Sequence, residues 1–294
     1  DSASAIASDH KQCGDIGMLR AKHLGRMRLE QLHPELAAQQ EQACHQPQYL
    51  ETAVIAADAL LILDGSLALL QSSLFDRDGL AYQWTKVIRQ RFDEGDLFIG
   101  AAGAGAQLVV GQKEGQSIPV MQADELATGA SLQQKWCQTH DCGTGHHAAT
   151  GLGLFNYGTI DTYTADKGRE YRLLRAAASG AGIGVGIDDG TALHLRWRDN
   201  GELLMRVAGQ GTVLLVDTRE ADYDAQDKDW TLRQAKLSRL VPGTVVQVKN
   251  GDYRLAMPET HAGKAQQLIP PNRLVDPFFF RSWAQWFVAN ELPY

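Results

Sequence analysis

The sequence has little positive charge to attract nucleic acid or an anionic membrane. Its 28 Lys and Arg are outnumbered by 35 Asp and Glu, which gives a formal net charge of −7. Both kinds of partner are usually held by clustered Lys and Arg side chains. We therefore expect the protein to bind neither nucleic acid nor membrane.

Long apolar runs are also lacking. The longest, around AVIAADALLIL, is interrupted by Asp58 and falls short of the roughly 20 residues that a membrane-spanning helix needs. The chain of 294 residues is 44% hydrophobic and has only 9 Pro against 29 Gly. Such a composition predicts one large globular domain or two small ones with an ample core.

Cysteine is scarce, and its four positions fall into two local pairs. Cys13 and Cys44 form one pair, and Cys137 and Cys142 form the other. An even number of cysteines, in a sequence that starts at Asp1 and not at Met, is typical of a mature exported chain. We therefore expect two disulfides and a secreted or periplasmic location. Four reduced thiols in a trimmed chain are the alternative interpretation.

A metal site is a further interpretation of the second cysteine pair. His140, His146 and His147 lie beside it in CQTHDCGTGHH, and Cys with His can bind zinc. Structural zinc sites usually join two separated ligand pairs, whereas these candidates all lie within 11 residues. A loop closed by a disulfide is therefore preferred, and we expect neither a metal nor another cofactor.

Strand-like and helix-like segments alternate in the first part of the chain. LAYQWTKVIRQRFDEG has apolar residues at helical spacing and ends at Gly95, and LFIGAAGAGAQLVVG then predicts a buried strand, a tight turn and a helix. This alternation favours a parallel sheet covered by helices on both faces. From about Ile183 the pattern changes to short strands joined by turns, which predicts an antiparallel, β-rich second half.

The glycine-rich turn after the second predicted strand lacks a nucleophile. Residues 100–106 have the small side chains of a nucleophile elbow, in which the catalytic residue sits on a sharp strand-to-helix turn. All seven are Gly or Ala, so none carries a hydroxyl or a thiol. The spacing also fails to match G-x-G-x-x-G, and no Lys-Ser or Lys-Thr follows, so nucleotide binding is not expected.

These segments resemble the cyanophycinase and aspartyl-dipeptidase family of serine peptidases. FIGAAGAGAQLVVG is similar to the family's Gly-x-Ser-Ala-Gly-Ala elbow. The run from GLGLFNYGTIDTYTADKGREYRLL to GIGVGIDDGTALHL resembles the segments that follow the elbow, and LSRLVPGTVVQV resembles the final hairpin. The likeness extends from about Ala53 to Met257. It implies an α/β fold, a three-layer α/β/α sandwich with a mostly parallel central sheet, akin to class I glutamine amidotransferases.

The resemblance also implies a degenerate catalytic site. The family's nucleophilic Ser falls on Gly103, its general-base His on Tyr163 and its acidic residue on Asp189. Without a nucleophile no acyl-enzyme forms, and a Tyr with an ordinary pKa near ~10 is a poor base at neutral pH. The family's substrate-pocket turn reads LDGS here, with Ser66 in place of a Gln. The expected binding positions are Asp64, Gly65, Ser66, Gly103, Ala104, Asp161 and Asp189.

Other polar residues allow two interpretations. Lys167 and Arg172 belong either to a retained pocket for a peptide or acidic ligand or, more simply, to a solvated helix. His194 alternates with apolar neighbours along a predicted strand, and a residue of the sheet is a simpler interpretation than a catalytic group.

The C-terminal segment is rich in aromatic residues and includes DPFFFRSWAQWF. We expect a single domain over residues 1–257, with a variable region at 1–52, and an extension at 258–294 that packs against a second copy. The preferred function is a catalytically inactive, cyanophycinase-like scaffold that self-assembles into a dimer or a filament. The alternatives are a ligand-binding protein and an active hydrolase, with relocated catalytic groups, for aspartyl or cyanophycin-type peptides.

Overall fold

The computed structural model describes residues 33–65, 67–76, 79–113, 116–117, 151–180, 182–226 and 229–258. These residues fall into two compact units. The first unit contains residues 33–61 and 72–100, and the second contains residues 62–71 together with the described residues from 101 onward. None of the described helices is long and apolar enough to span a bilayer.

Helices form most of the first unit. Four belong to it wholly or in part: α1 (Pro34–His45), α2 (Pro47–Ala56), α3 (Leu67–Leu74) and α4 (Gln83–Glu94). Proline opens both α1 and α2, where its fixed φ angle suits the first turn and its missing N–H is not needed. Helix α4 ends at Gly95, whose φ of 82° is the left-handed conformation typical of a helix C-terminus. Arg91 of α4 donates to the carbonyl of Val54 in α2 at 2.7 Å.

Two short strands precede the glycine-rich turn. Strand β1 (Ala59–Ile62) pairs with β2 (Phe98–Ala101), and the turn after β2 leads directly into α5 (Ala104–Leu108). Strands β3 (Gln112–Lys113) and β4 (Gln116–Ser117) follow as a small hairpin. Strand β2 is predicted to be buried, but its Phe98 is 63% exposed, and Leu61 of the neighbouring β1 is 65% exposed.

The second unit continues with strands and one helix. In chain order these are β5 (Thr159–Thr162), α6 (Glu170–Ser179), β6 (Ile183–Ile187), β7 (Thr191–Trp197), β8 (Leu203–Gly209), β9 (Val213–Asp217), β10 (Asp222–Gln226), β11 (Asp229–Arg233), β12 (Lys236–Leu240), β13 (Val245–Lys249) and β14 (Asp252–Ala256). Sheet A has the strand order β12-β9-β6-β5, and sheet B has the order β14-β13-β8-β7. Strands β10 and β11 form a separate antiparallel hairpin.

Sheet A carries the core beneath α6. Leu173 of α6 is fully buried in a cluster with Leu214 and Val216 of β9. Gly184 of β6 faces the same leucine, because a Cβ at this position would lie 2.9 Å from Leu173 Cδ1. Gly184 and Gly186 of β6 are therefore explained by the close approach of Leu173 of α6 to the sheet.

Sheet B has one buried face and one exposed face. Met205 and Val246 are directly opposite each other and each is at most 1% exposed. Arg196 and Arg206, which alternate with buried or half-buried residues along β7 and β8, lie on the exposed face. This alternation is typical of an antiparallel sheet with one solvated side.

The predicted three-layer α/β/α sandwich with a mostly parallel central sheet is wrong. In sheet A only β5 and β6 are parallel, while β6–β9 and β9–β12 are antiparallel, and sheet B is antiparallel throughout. A parallel pair needs a long crossover, which α6 supplies between β5 and β6. Strands β13 and β14 are joined instead by Asn250 and Gly251, whose φ angles of 53° and 82° form a tight hairpin turn.

Candidate functional site

The glycine-rich turn has the backbone of a nucleophile elbow. Gly103 follows β2 with φ 53° and ψ −123°, a combination that residues with a side chain rarely adopt. Two residues later, a Cβ on Gly105 would lie 2.4 Å from the carbonyl oxygen of Ile62. That same carbonyl accepts a hydrogen bond from the Ala102 N–H at 2.9 Å. The small residues of this turn are therefore required by the close approach of α5 to the end of β1.

Asp64 fills the space in front of the elbow. A Cβ built on Gly103 would lie 2.0 Å from Asp64 Cγ and 2.1 Å from its Oδ1. Oδ1 accepts hydrogen bonds from the backbone N–H of Ala104 at 2.8 Å and from that of Gly65 at 2.9 Å. Two backbone donors that converge on one oxygen at these distances have the geometry of an oxyanion hole. The carboxylate of the chain itself thus occupies this hole.

Tyr163 completes the elbow cluster, which we define as Asp64, Gly65, Ala104, Tyr163 and Lys167. Tyr163 follows β5, and its hydroxyl donates to Asp64 Oδ2 at 3.0 Å. Its φ of 55° is unusual for a residue with a bulky side chain. The Lys167 ammonium lies 4.5 Å from the centroid of the Tyr163 ring, within range of a cation–π interaction.

The electrostatics of the elbow cluster keep Asp64 ionised and Tyr163 protonated. The N–H of Ala104 lowers the pKa of Asp64, with further lowering by the N–H of Gly65, the Tyr163 hydroxyl and the Lys167 charge, against partial burial. The hydrogen bond to Asp64 and the negative charge of that carboxylate raise the pKa of Tyr163. Position 103 therefore faces an anion and a neutral phenol, and neither a free base nor a nucleophilic hydroxyl.

Asp161, one of the predicted binding residues, is buried in an ion pair. It is 0% exposed and accepts from Arg172 Nε at 2.6 Å, while Arg172 is only 5% exposed. Gln107 of α5 donates to Asp161 Oδ1 at 2.9 Å, so the pair joins α5, β5 and α6. The interpretation of Arg172 as a solvated helix residue is therefore wrong, and Asp161 acts as a structural group beneath the elbow.

A second buried network holds the segment that carries Tyr163. Asp188 accepts from the backbone N–H of Ala165 at 3.0 Å and from Arg239 Nη1 at 2.9 Å. Arg239 also pairs with Glu170 at 3.4 Å, and burial raises the pKa of Glu170. Because Ala165 lies two residues after Tyr163, this network fixes the backbone that delivers the Tyr163 hydroxyl to Asp64.

The structure brings some predicted site residues together and separates others. Asp64, Gly65, Gly103, Ala104 and Tyr163 form one cluster, as described above. Asp189 is exposed, and among the described residues its carboxylate makes no hydrogen bond to Tyr163; its backbone N–H donates to Asp166 at 2.8 Å. Ser66, the three histidines of the alternative zinc site and all four cysteine side chains lie outside the described part. No group of potential metal ligands occurs among the described residues.

Sequence reasoning placed Asp64 among the binding residues but missed its role as the occupant of the elbow. It also missed Gln107, Asp188 and Arg239, whose contacts cross from one element to another. Two features of the sequence bear on Asp64: an acidic residue lies two positions after the end of β1, and Gly103 of the elbow has no side chain. The carboxylate partners of Arg239 lie 51 and 69 residues away and its hydroxyl partner Thr212 lies 27 residues away, so no local pattern reveals them.

Comparison with known proteins gives one distant relationship. The chain is 29% identical over 164 residues to cyanophycinase from Synechococcus elongatus and, to the same extent, to cyanophycinase from Thermosynechococcus vestitus. The chain is distantly similar to cyanophycinase. Each match covers 55% of this chain and 43% of the relative, so the chain spans less than half the length of these curated relatives. No protein-family model matches the chain. The similarity supports a distant relationship to peptidase-like hydrolases.

Proposed function

We propose that the protein is a catalytically inactive, cyanophycinase-like protein. The observation that carries this proposal is the position of Asp64. Its carboxylate takes the space of a side chain at residue 103 and accepts the Gly65 and Ala104 N–H groups on one oxygen. The distant similarity to cyanophycinase supplies the class of chemistry that such an elbow would otherwise perform.

A peptide substrate would have to displace Asp64 before it could react. In acyl transfer the substrate oxygen becomes negatively charged and needs preorganised N–H donors. Here the N–H groups of Gly65 and Ala104 are bound to the Asp64 carboxylate, which has a lowered pKa and is charged at neutral pH. This negative charge would repel the negative charge that develops on the substrate oxygen. After displacement there would still be no nucleophile at Gly103, and the raised pKa of Tyr163 keeps that hydroxyl from acting as a base.

In place of turnover we propose that the fold serves as an extracytoplasmic scaffold that self-assembles. This part of the proposal rests on the sequence: the aromatic segment and the two cysteine pairs. Residues 259–294 and the cysteine side chains lie outside the described part of the chain. Self-association, the disulfides and the secreted or periplasmic location are therefore proposals that need their own experiments.

The direct test is an activity assay on the full-length protein. Cyanophycin and aspartyl dipeptides are incubated with the protein, and the cyanophycinase from Synechococcus elongatus serves as the positive control. We expect no turnover and no labelling by a fluorophosphonate, because position 103 has no hydroxyl. Turnover that a fluorophosphonate abolishes would overturn the proposal in favour of an active hydrolase with relocated groups.

A matched pair of variants tests the role of Asp64 itself. The first combines Gly103→Ser with Tyr163→His and keeps Asp64, and the second adds Asp64→Gly. We expect fluorophosphonate labelling in the second variant only, because only there is the space for the new hydroxyl vacated. Peptide turnover should stay slight in both, since the LDGS turn is unrepaired. Equal labelling of both variants would contradict the argument that Asp64 blocks the elbow.

A further inference from the structure

The exposed face of sheet B is strongly basic, although the chain as a whole is acidic. We define the basic face as His194, Arg196, Arg206, Lys249 and Arg254. The registers place His194 opposite Arg206, and they place Arg196, Leu204, Gln247 and Arg254 in one row across the four strands. Directly opposite residues of an antiparallel sheet share a face, so all five side chains point to the same side.

The side chains of the basic face form no ion pairs within the described part of the chain. Each of the five residues is exposed, and none of them forms an ion pair with a carboxylate of a described residue. Two carboxylates lie on this side of sheet B: the exposed Asp252, opposite Lys249, and the buried Glu202, which pairs with Arg198 and accepts a hydrogen bond from Gln247. Like charges held close together on one face repel each other, and Arg196, Arg206 and Arg254 lie in two adjacent rows of this face. A partner that supplies negative charge would relieve this repulsion.

The same chain carries an acidic strand that fits this face. Residues 220–229 contain five acidic residues and one lysine. Asp222 and Asp224 are exposed, and as alternate residues of β10 they lie about 7 Å apart on one side of the strand. Alternate residues of β7, including His194 and Arg196, have the same spacing. Asp222 lies opposite Arg233 in the hairpin, whereas Asp224 lies opposite Thr231 and has no cation directly across from it, so Asp224 is the carboxylate available to a partner.

We propose that the basic face binds the acidic β10–β11 hairpin of a second copy of this chain. The net charge of −7 disfavours the approach of a long polyanion such as nucleic acid, whereas two copies attract each other when the face of one meets the hairpin of the other. The two patches are different, so the contact is head-to-tail and leaves a free face at one end and a free hairpin at the other. The inference rests on the proposed role in assembly, and it names a contact outside the aromatic C-terminal segment.

Charge reversal on the full-length protein tests this contact. Arg206→Glu lies in the centre of the basic face, and Lys86→Glu makes the same change in charge on the exposed side of α4. Sedimentation velocity should give an association constant for Arg206→Glu that is at least about tenfold lower than that of the wild type. The reason is that a close charge pair at an interface contributes at least this much to the binding free energy. Lys86→Glu should leave it near the wild-type value. Association should also weaken when salt rises from about 50 mM to about 500 mM, because screening shortens the range of these charges.

Mixing two deficient variants provides the decisive experiment. Arg206→Glu keeps its hairpin, and Asp224→Lys keeps its basic face, so each alone should associate at least about tenfold more weakly than the wild type. Their mixture should form a 1:1 complex that does not extend, because each partner has one working patch. Circular dichroism spectra that match the wild type exclude misfolding, and Arg254→Glu serves as a second face variant.

Four outcomes would overturn the inference. One is a wild-type protein that stays monomeric at all concentrations, and another is an equal effect of Arg206→Glu and Lys86→Glu. The third is a wild-type protein that stays monomeric and binds a DNA oligonucleotide, if Arg206→Glu abolishes that binding. This outcome would assign the basic face to a polyanion. Loss of assembly in a chain that ends at Pro258, with no effect of the charge reversals, would retain the scaffold role and reject this contact.

Discussion

A Cβ atom on Gly103 would lie 2.0 Å from Cγ of Asp64, so the elbow holds either this carboxylate or a side chain at position 103. The two residues are 39 positions apart but meet because β1 and β2 are neighbours and both end at this turn. Gly103 keeps the elbow conformation, with φ 53° and ψ −123°, without a nucleophile to position. The Asp64 hydrogen bonds to Gly65 and Ala104 now hold that backbone in place.

The first prediction concerns Gly103→Ser. We expect it to lower the free energy of unfolding by about 1–3 kcal/mol from backbone strain alone, and by more because Asp64 must move. Gly168→Ser is the matched control, since Gly168 has a φ of 61° but nothing within 4 Å of an added Cβ. Urea unfolding of both variants separates strain from the clash. If Gly103→Ser costs no more than Gly168→Ser, Asp64 does not resist the new side chain.

The second prediction concerns the hydrogen bond from Tyr163. Tyr163→Phe should raise the pKa of Asp64, because it removes one of the donors that stabilise the carboxylate. Carboxyl ¹³C shifts recorded against pH measure this change. Tyr253→Phe removes a hydroxyl from β14 and is the control that should leave the Asp64 titration unchanged. An unaltered Asp64 titration in Tyr163→Phe would mean that the contact does not persist in solution.

The lowered pKa of Asp64 also predicts a pH dependence of stability. A carboxyl group with a lower pKa in the folded state than in the unfolded state stabilises the fold above the unfolded value, near ~3.9. This contribution is lost as pH falls through the folded pKa. Wild type should therefore exceed Asp64→Asn in stability at neutral pH, and the difference should shrink in acid. A difference that is constant over this range would contradict the role of the ionised carboxylate.

Local signals in the sequence identify several elements correctly. Gly95 ends α4 as predicted, and the small residues after β2 form the predicted turn and helix start. The short strands after Ile183 are antiparallel, because their turns are too short for a crossover. The predicted parallel sandwich is wrong because strand direction depends on which strands become neighbours. Nothing in the GIGVGI segment indicates that β6 pairs with β9 on one side and β5 on the other.

The candidate site, like the sheet topology, could be predicted from the sequence only in part. The absence of a nucleophile at Gly103 can be read directly, whereas the arrival of Asp64 in its place depends on the pairing of β1 with β2. Arg172 is an ordinary helix residue in the sequence and becomes a buried cation only because α6 packs over Asp161. Long-range pairing, and not residue type, therefore decides which polar groups are solvated.

The third prediction concerns Glu170, whose pKa is raised mainly by burial. Raising the folded pKa of an acid stabilises the fold below the unfolded pKa, near ~4.3, and this contribution is lost as pH rises through the folded pKa. Glu170→Gln cannot ionise and still offers an acceptor to Arg239. Its stability relative to wild type should therefore increase from acid to neutral pH. Glu170→Ala removes the acceptor and should be destabilised throughout, and a Gln variant with no such trend would contradict the prediction.

The fourth prediction concerns the buried pair of Asp161 and Arg172. Asp161→Asn should lower the free energy of unfolding by about 3–5 kcal/mol, because it leaves the Arg172 charge buried without a carboxylate. Arg172→Met should cost less, since the Gln107 side chain and the Thr162 N–H still donate to Asp161. The exposed pair of Lys236 and Glu220 is the control, and breaking it should have little measurable effect.

The double variant of Asp161→Asn with Arg172→Met decides whether the pair acts as a unit. It leaves neither Asp161 nor Arg172 as an unpaired buried charge, so it should be less destabilised than the sum of the two single variants, with a coupling of about 0.5–3 kcal/mol. Because Gln107 joins Asp161 to α5, Asp161→Asn should also weaken the Asp64 contact with Ala104 at the start of that helix. The Asp64 titration reports this effect as a rise in its pKa. Additive losses together with an unchanged Asp64 pKa would mean that the buried pair does not support the elbow.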